Sequence, residues 1–163
     1  MNYQRFEDLP VWQAASDLAL RVFALGEKGP LRRHRSLREQ VERAALSVSN
    51  NIAEGFERGT TNELLAFLYI ARGSAGEVRS MLCVMDRMPA FSDLKSEISN
   101  LRSLAESISR QLRGWAHHLQ DSSIRDQRHL TSKTRQIDQA RRERDEFLQE
   151  LEAMRKKTSP DKS

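Results

Sequence analysis

Between residues 94 and 119, apolar side chains recur at steps of three and four: Leu94, Ile98, Leu101, Ala105, Ile108, Leu112, Trp115 and Leu119. At 3.6 residues per turn this spacing lays one continuous stripe down a helix and leaves the other faces polar. Such a helix holds only when its stripe is covered, so the chain has to supply further helices to pack against it. No stretch shows the sustained alternation of Val, Ile, Thr and aromatic residues that marks a strand.

Three earlier segments carry the same period. The first starts near Asp8, an N-cap candidate, with Pro10 in the first turn where a missing N–H costs little. Val11, Ala15, Leu18, Val22 and Leu25 form its core line, and Trp12, Ala19 and Phe23 form a second apolar line beside it. Gly26 ends it, Lys28-Gly29-Pro30 breaks the chain, and residues 31–35 read as a basic loop. The second segment opens on Ser36-Leu37-Arg38-Glu39, a capping box, and closes at Gly59. The third repeats the cap-then-acid signature at Thr60-Thr61-Asn62-Glu63 and carries Leu64, Leu68, Ala71, Ala75, Val78 and Leu82. It holds Gly73 and Gly76 mid-helix, at about 1 kcal/mol each relative to Ala, and close approach of another helix is the expected compensation. Met88-Pro89 stops it, and Ser92 is the expected cap of the last helix. Four helices with short connections predict an all-α, antiparallel, up-down-up-down four-helix bundle over residues 1–120.

The second helix has two stripes. Leu37, Val41, Ala44, Val48, Ile52 and Phe56 make an apolar seam, while Arg43, Ser47, Asn50, Asn51, Glu54 and Arg58 make a polar line about a third of a turn away. Ser and Asn compete with helical backbone bonding, so a solvated face favours Lys, Glu and Gln instead. A polar line of this composition predicts contact with protein. Arg43, Ser47, Asn51, Glu54, Arg58, Ser74 and Glu77 are therefore expected to form a hydrogen-bonded network at a helix or subunit junction, because unpaired buried charge is costly.

After residue 120 the pattern changes. Residues 121–133 read as a polar linker and residues 134–157 as a charged helical extension, with Ile137, Ala140, Arg144, Phe147, Leu151 and Met154 at heptad-like spacing, where Arg144 on the seam makes an isolated helix marginal. Residues 158–163 are expected to be a disordered tail. The net charge of +4 is spread: 16 Lys and Arg face 14 Asp and Glu through Gln120, and 11 face 9 beyond it. That balance permits nucleic-acid contact without demanding it. Only Lys28 and Lys95 are lysines before Gln120. Arginine suits bidentate pairing with carboxylate or phosphate, though a GC-rich coding sequence gives the same bias. One cysteine, Cys83, cannot make an intrachain disulfide, and no apolar run approaches a membrane span. A soluble, cytoplasmic protein with no membrane contact is the expectation.

Nothing in the residues predicts catalysis, a metal or a cofactor. His117 and His118 are neighbours pointing apart, and His34 and His129 stand alone. Glu54 and Glu77 could face each other as an acid–base pair, but the nearby arginines make a structural network the stronger reading.

Residues 6–12 (Phe-Glu-Asp-Leu-Pro-Val-Trp), the second-helix pattern of Arg43, Ala44, Ser47, the run Asn51-Ile52-Ala53-Glu54-Gly55 and Arg58, and residues 67–77 (Phe-Leu-Tyr-Ile-Ala-Arg-Gly-Ser-Ala-Gly-Glu) resemble the four-helix-bundle family of 23S rRNA intervening-sequence proteins. The resemblance covers about residues 6–119. Members are often encoded by reading frames inserted in bacterial 23S rRNA genes. The resemblance implies a ring-like homopentamer, and kinship with the accessory variability proteins of diversity-generating retroelements, basic pentamers that bind a reverse transcriptase and RNA. Gly76 departs from the larger residue more usual there, and the chain after Asp121 lies outside the resemblance.

The resulting expectation is a non-enzymatic homo-oligomeric scaffold that binds RNA through Arg32, Arg33, Arg35 and Arg38, with Arg110 and Arg113 as lesser candidates. The alternative is a protein-interaction module for a partner such as a reverse transcriptase, with the C-terminal extension as its docking element.

Overall fold

A computed structural model of the chain describes residues 3–121. The expected linker, extension and tail after residue 121 lie outside the described residues. A 3-10 turn, Phe6–Asp8, leads into α1 (Pro10–Gly26), followed by the short α2 (Gly29–Arg33), α3 (Arg35–Glu57) and α4 (Thr61–Arg87). A second 3-10 turn, Pro89–Leu94, leads into α5 (Lys95–Asp121). The four long helices form an antiparallel up-down-up-down bundle. α3 packs most extensively on α4 and α4 on α5, while α1 closes the ring against α3 and α5. α1 and α4 are thus diagonal partners, as are α3 and α5.

The periodic seams are the core. Leu18, Val48, Ile52, Leu82, Leu101, Ile108 and Leu112 are fully buried. On α5 the stripe shifts slightly at its ends, where Leu94, Trp115 and Leu119 are half-buried and Ala116 is buried.

The helix starts differ from expectation at three of four places. Leu9, not Asp8, is the N-cap of α1 and makes no side-chain cap bond. Asp8 belongs to the preceding 3-10 turn, which Gln13 Nε2 ties down by donating to Glu7 O at 2.9 Å and the edge-on Phe6–Trp12 pair covers at 5.2 Å. Pro10 occupies the first turn as expected. Residues 29–33 are helical instead of a loop, because Pro30 favours a first turn and Leu31 is driven into the core. α3 then begins at Arg35 with His34 as N-cap, so Ser36 lies inside the helix and caps nothing. Ser92 likewise caps nothing. It sits in the 3-10 turn that Pro89 starts and fully buried Phe91 anchors, with its hydroxyl 3.4 Å from Asp93 Oδ1.

Thr60 is the exception. Its Oγ1 accepts from the Glu63 backbone N–H at 3.2 Å and donates to Glu63 Oε2 at 2.8 Å, which satisfies an otherwise orphan donor at the start of α4. Thr60→Ala is expected to cost about 1 kcal/mol. An unchanged denaturant midpoint would show that this hydroxyl does not hold the helix start.

The close helix approach also falls elsewhere than expected. Atoms built as Cβ on Gly73 or Gly76 would meet nothing within 4 Å among the described residues, so none of the described helices approaches them. A Cβ on Gly55 of α3 would lie 2.7 Å from Phe67 Cβ and 3.1 Å from Leu64 Cδ1. α3 and α4 come together at Gly55.

Candidate assembly and nucleic-acid surfaces

The polar line of α3 faces α4 at its middle. Ser47 Oγ and Ser74 Oγ are 3.0 Å apart, Ser74 Oγ lies 3.2 Å from the Ile70 carbonyl, and Asn51 Nδ2 donates to Ser47 O at 2.7 Å and to Ser47 Oγ at 3.0 Å. One proton order satisfies them all: Asn51 donates to Ser47, Ser47 to Ser74, and Ser74 to the Ile70 carbonyl. Ser74 is buried, so an unmet hydroxyl there would be costly. Nearer the end of α3, Arg58 donates to Glu54 at 2.6 Å and its guanidinium covers the Phe67 ring at 5.2 Å.

The structure therefore brings together Ser47, Asn51 and Ser74, and separately Glu54 and Arg58. Arg43 and Glu77 stay exposed, and neither makes an ion pair within the described residues. The Ser47–Ser74 contact sets Glu54 level with about residue 67 of α4, ten residues from Glu77, or roughly 15 Å along the axis. The two carboxylates do not form an acid–base pair.

The arginines expected to meet nucleic acid divide by partner. Arg38 is occupied: its Nη1 is 3.8 Å from Glu27, its Nε is 3.6 Å from Glu42, and that Nε is buried. Arg35 binds Glu39 at 2.6 Å, and the hydrogen bond holds the Glu39 carboxyl below its ordinary range and the guanidinium above its own. Lys28 pairs with Glu97 on α5. Arg32 and Arg33, at the end of α2, are exposed and make no ion pair among the described residues. Arg110 pairs with Glu106 at 3.3 Å, while Arg113 is exposed and makes no ion pair among the described residues. The Lys28–Glu97 pair places α2 beside the start of α5, so Arg110 and Arg113 lie roughly 20 Å or more further along the axis. The six arginines form two separated groups.

Several large apolar residues lie outside the core: Leu20 is 66% exposed, Ile70 and Val84 51%, Tyr69 45%, Leu46 43% and Phe23 39%. Of these only Phe23 belonged to an apolar line in the sequence pattern. The rest sit off the seams, and a second outward stripe on α4 (Ile70, Gly73, Glu77, Ser80, Val84) was the signal available. A groove of about 360 Å³ between the start of α4 and the end of α5 is lined, among the described residues, by the uncharged side chains of Thr61, Asn62, Leu65, Leu119 and Gln120. Among the described residues no three His, Cys, Asp or Glu side chains converge as metal ligands, and no helix is long and apolar enough to cross a membrane.

Fold and surface define a class: an all-α bundle with a satisfied polar seam between two helices and apolar residues left on its outside. The family model of the 23S rRNA-intervening sequence proteins matches residues 7–114, from the first 3-10 turn well into α5, and the chain belongs to that family. No curated protein matches it.

Proposed function

We propose that the chain is a non-enzymatic, cytoplasmic scaffold that assembles with copies of itself, as a ring of five, and binds RNA at the α2 end of the bundle. The observation that carries the assembly is the outward apolar set on α1, α3 and α4, beside Arg43 and Glu77, which make no ion pair among the described residues. Large apolar side chains left exposed on these helices gain from burial against protein. RNA binding rests on Arg32 and Arg33, which are exposed and make no ion pair among the described residues. In a ring each copy presents the same end, so these arginines gather on one rim. The +4 of one chain becomes about +20 in five copies, a field that attracts phosphate and weakens with salt.

A gel-shift series with single-stranded and structured RNA at rising salt tests this. The full chain is expected to bind at micromolar concentration or better, with affinity falling steeply as salt rises. Arg32→Gln with Arg33→Gln should weaken binding about tenfold or more and flatten the salt dependence. Arg35→Gln should change it less, since Glu39 already offsets that charge. No shift, or an affinity indifferent to ionic strength, would remove the RNA reading.

A further inference from the structure

Two outward faces of the bundle have opposite relief. On α1, Leu20 is largely exposed and Phe23 partly so. On α4, the stripe of Ile70, Gly73, Glu77, Ser80 and Val84 has apolar ends and a hollow at Gly73, widened by Gly76. The two faces belong to diagonal helices, which do not pack extensively on each other within one copy.

They also lie at the same height. Gly26 of α1 abuts Arg38 and Glu42 of α3, and Ser47 of α3 touches Ser74 of α4. Counted along antiparallel helices, these contacts put Leu20 and Phe23 level with about residues 75 and 78 of α4, within one turn of the hollow. Charge agrees with shape. Glu77 borders the hollow and Arg43, one turn from exposed Leu46, lies level with Phe23; neither makes an ion pair among the described residues.

We infer that Leu20 and Phe23 of one copy seat in the Gly73–Gly76 hollow of a second copy, with Arg43 of the first facing Glu77 of the second. The inference rests on the self-association proposed above and deepens it by naming both halves of the contact. Two different surfaces meet, so the contact is head-to-tail, and each copy keeps one face free for the next. Both faces lean toward α3. Phe23 is three residues from Gly26, which abuts α3, and Ile70 is three from Phe67 and four from Ser74, which α3 also meets. Contact directions bent to one side turn successive copies toward closure instead of a straight filament. The glycines then have a reason: at their positions only a bare backbone leaves room for the incoming side chains.

Disulfide trapping in the full chain with Cys83→Ala tests the contact. Phe23→Cys chains mixed with Gly73→Cys chains should give a two-chain covalent product on mild oxidation. The double variant should give a ladder of larger products, and each single variant alone should stay at one chain. Because Phe23 is partly exposed and a side chain at Gly73 meets nothing, these variants should fold, and circular dichroism checks it. Phe23→Asp should independently weaken self-association at least tenfold by light scattering. A wild-type chain that is oligomeric while the mixture yields no product and Phe23→Asp keeps its mass would overturn this contact and leave self-association standing. Trapping by either single variant alone would overturn the head-to-tail geometry. A wild-type chain of single-chain mass would overturn both readings.

Discussion

Phe91→Ala is expected to remove about 3–5 kcal/mol of stability, the usual cost of emptying a fully buried aromatic site. Phe91 sits in the 3-10 turn between α4 and α5 at 0% exposure. Its backbone N–H donates to the Met88 carbonyl at 3.0 Å, and its ring stacks on His34 with centroids 5.9 Å apart. One side chain therefore plugs the end of the bundle where α2, the turn and the start of α3 meet. Neighbouring Ser92 is exposed and caps no helix, so Ser92→Ala should move the midpoint by under about 0.5 kcal/mol. Chemical denaturation of both at one protein concentration checks the contrast, because self-association of the kind proposed would make stability concentration-dependent. Equal effects would mean that Phe91 does not anchor the turn.

Gly55→Ala is expected to destabilise despite alanine's better helix propensity. The new Cβ would lie 2.7 Å from Phe67 Cβ and 3.1 Å from Leu64 Cδ1. Phe67 Cβ is fixed to the α4 backbone, so relief means moving a helix, at about 1–3 kcal/mol of overpacking against a propensity gain of about 1 kcal/mol. A net loss near 2 kcal/mol is the upper part of that range, because Leu64 and its carbonyl crowd the same spot. Gly73→Ala has the opposite sign in the dissociated chain, where nothing opposes the propensity gain of about 1 kcal/mol. Measured by denaturation under dissociating conditions, the two substitutions should move the midpoint in opposite directions. A stabilising Gly55→Ala would show that α3 and α4 are less tightly apposed there.

These residues show how far the sequence can be read. The seams through Val48, Leu82 and Ile108 are legible because periodicity is local and burial follows from it. Thr60 is legible because its cap needs only Glu63 three residues on. Ser36 carries an equally good signature, with Glu39 three residues on, and Ser92 a weaker one with Lys95 there; both cap nothing, since burial of Leu31 and Phe91 sets where the adjoining turns run. Helical glycines can be found by position, but which backbone approaches them is a tertiary fact. That is why Gly55 and not Gly73 marks the α3–α4 contact. The same limit holds for charge. Arg32 and Arg38 look alike in sequence, yet Glu27 and Glu42 reach only Arg38.

The most direct test is the mass of the full chain by light scattering over a dilution series, with absorbance ratios read for co-purifying nucleic acid. The account predicts a multiple of the 18.8 kDa chain, about 94 kDa for five copies, that holds into the low micromolar range. A species of 18.8 kDa at high micromolar concentration would contradict it.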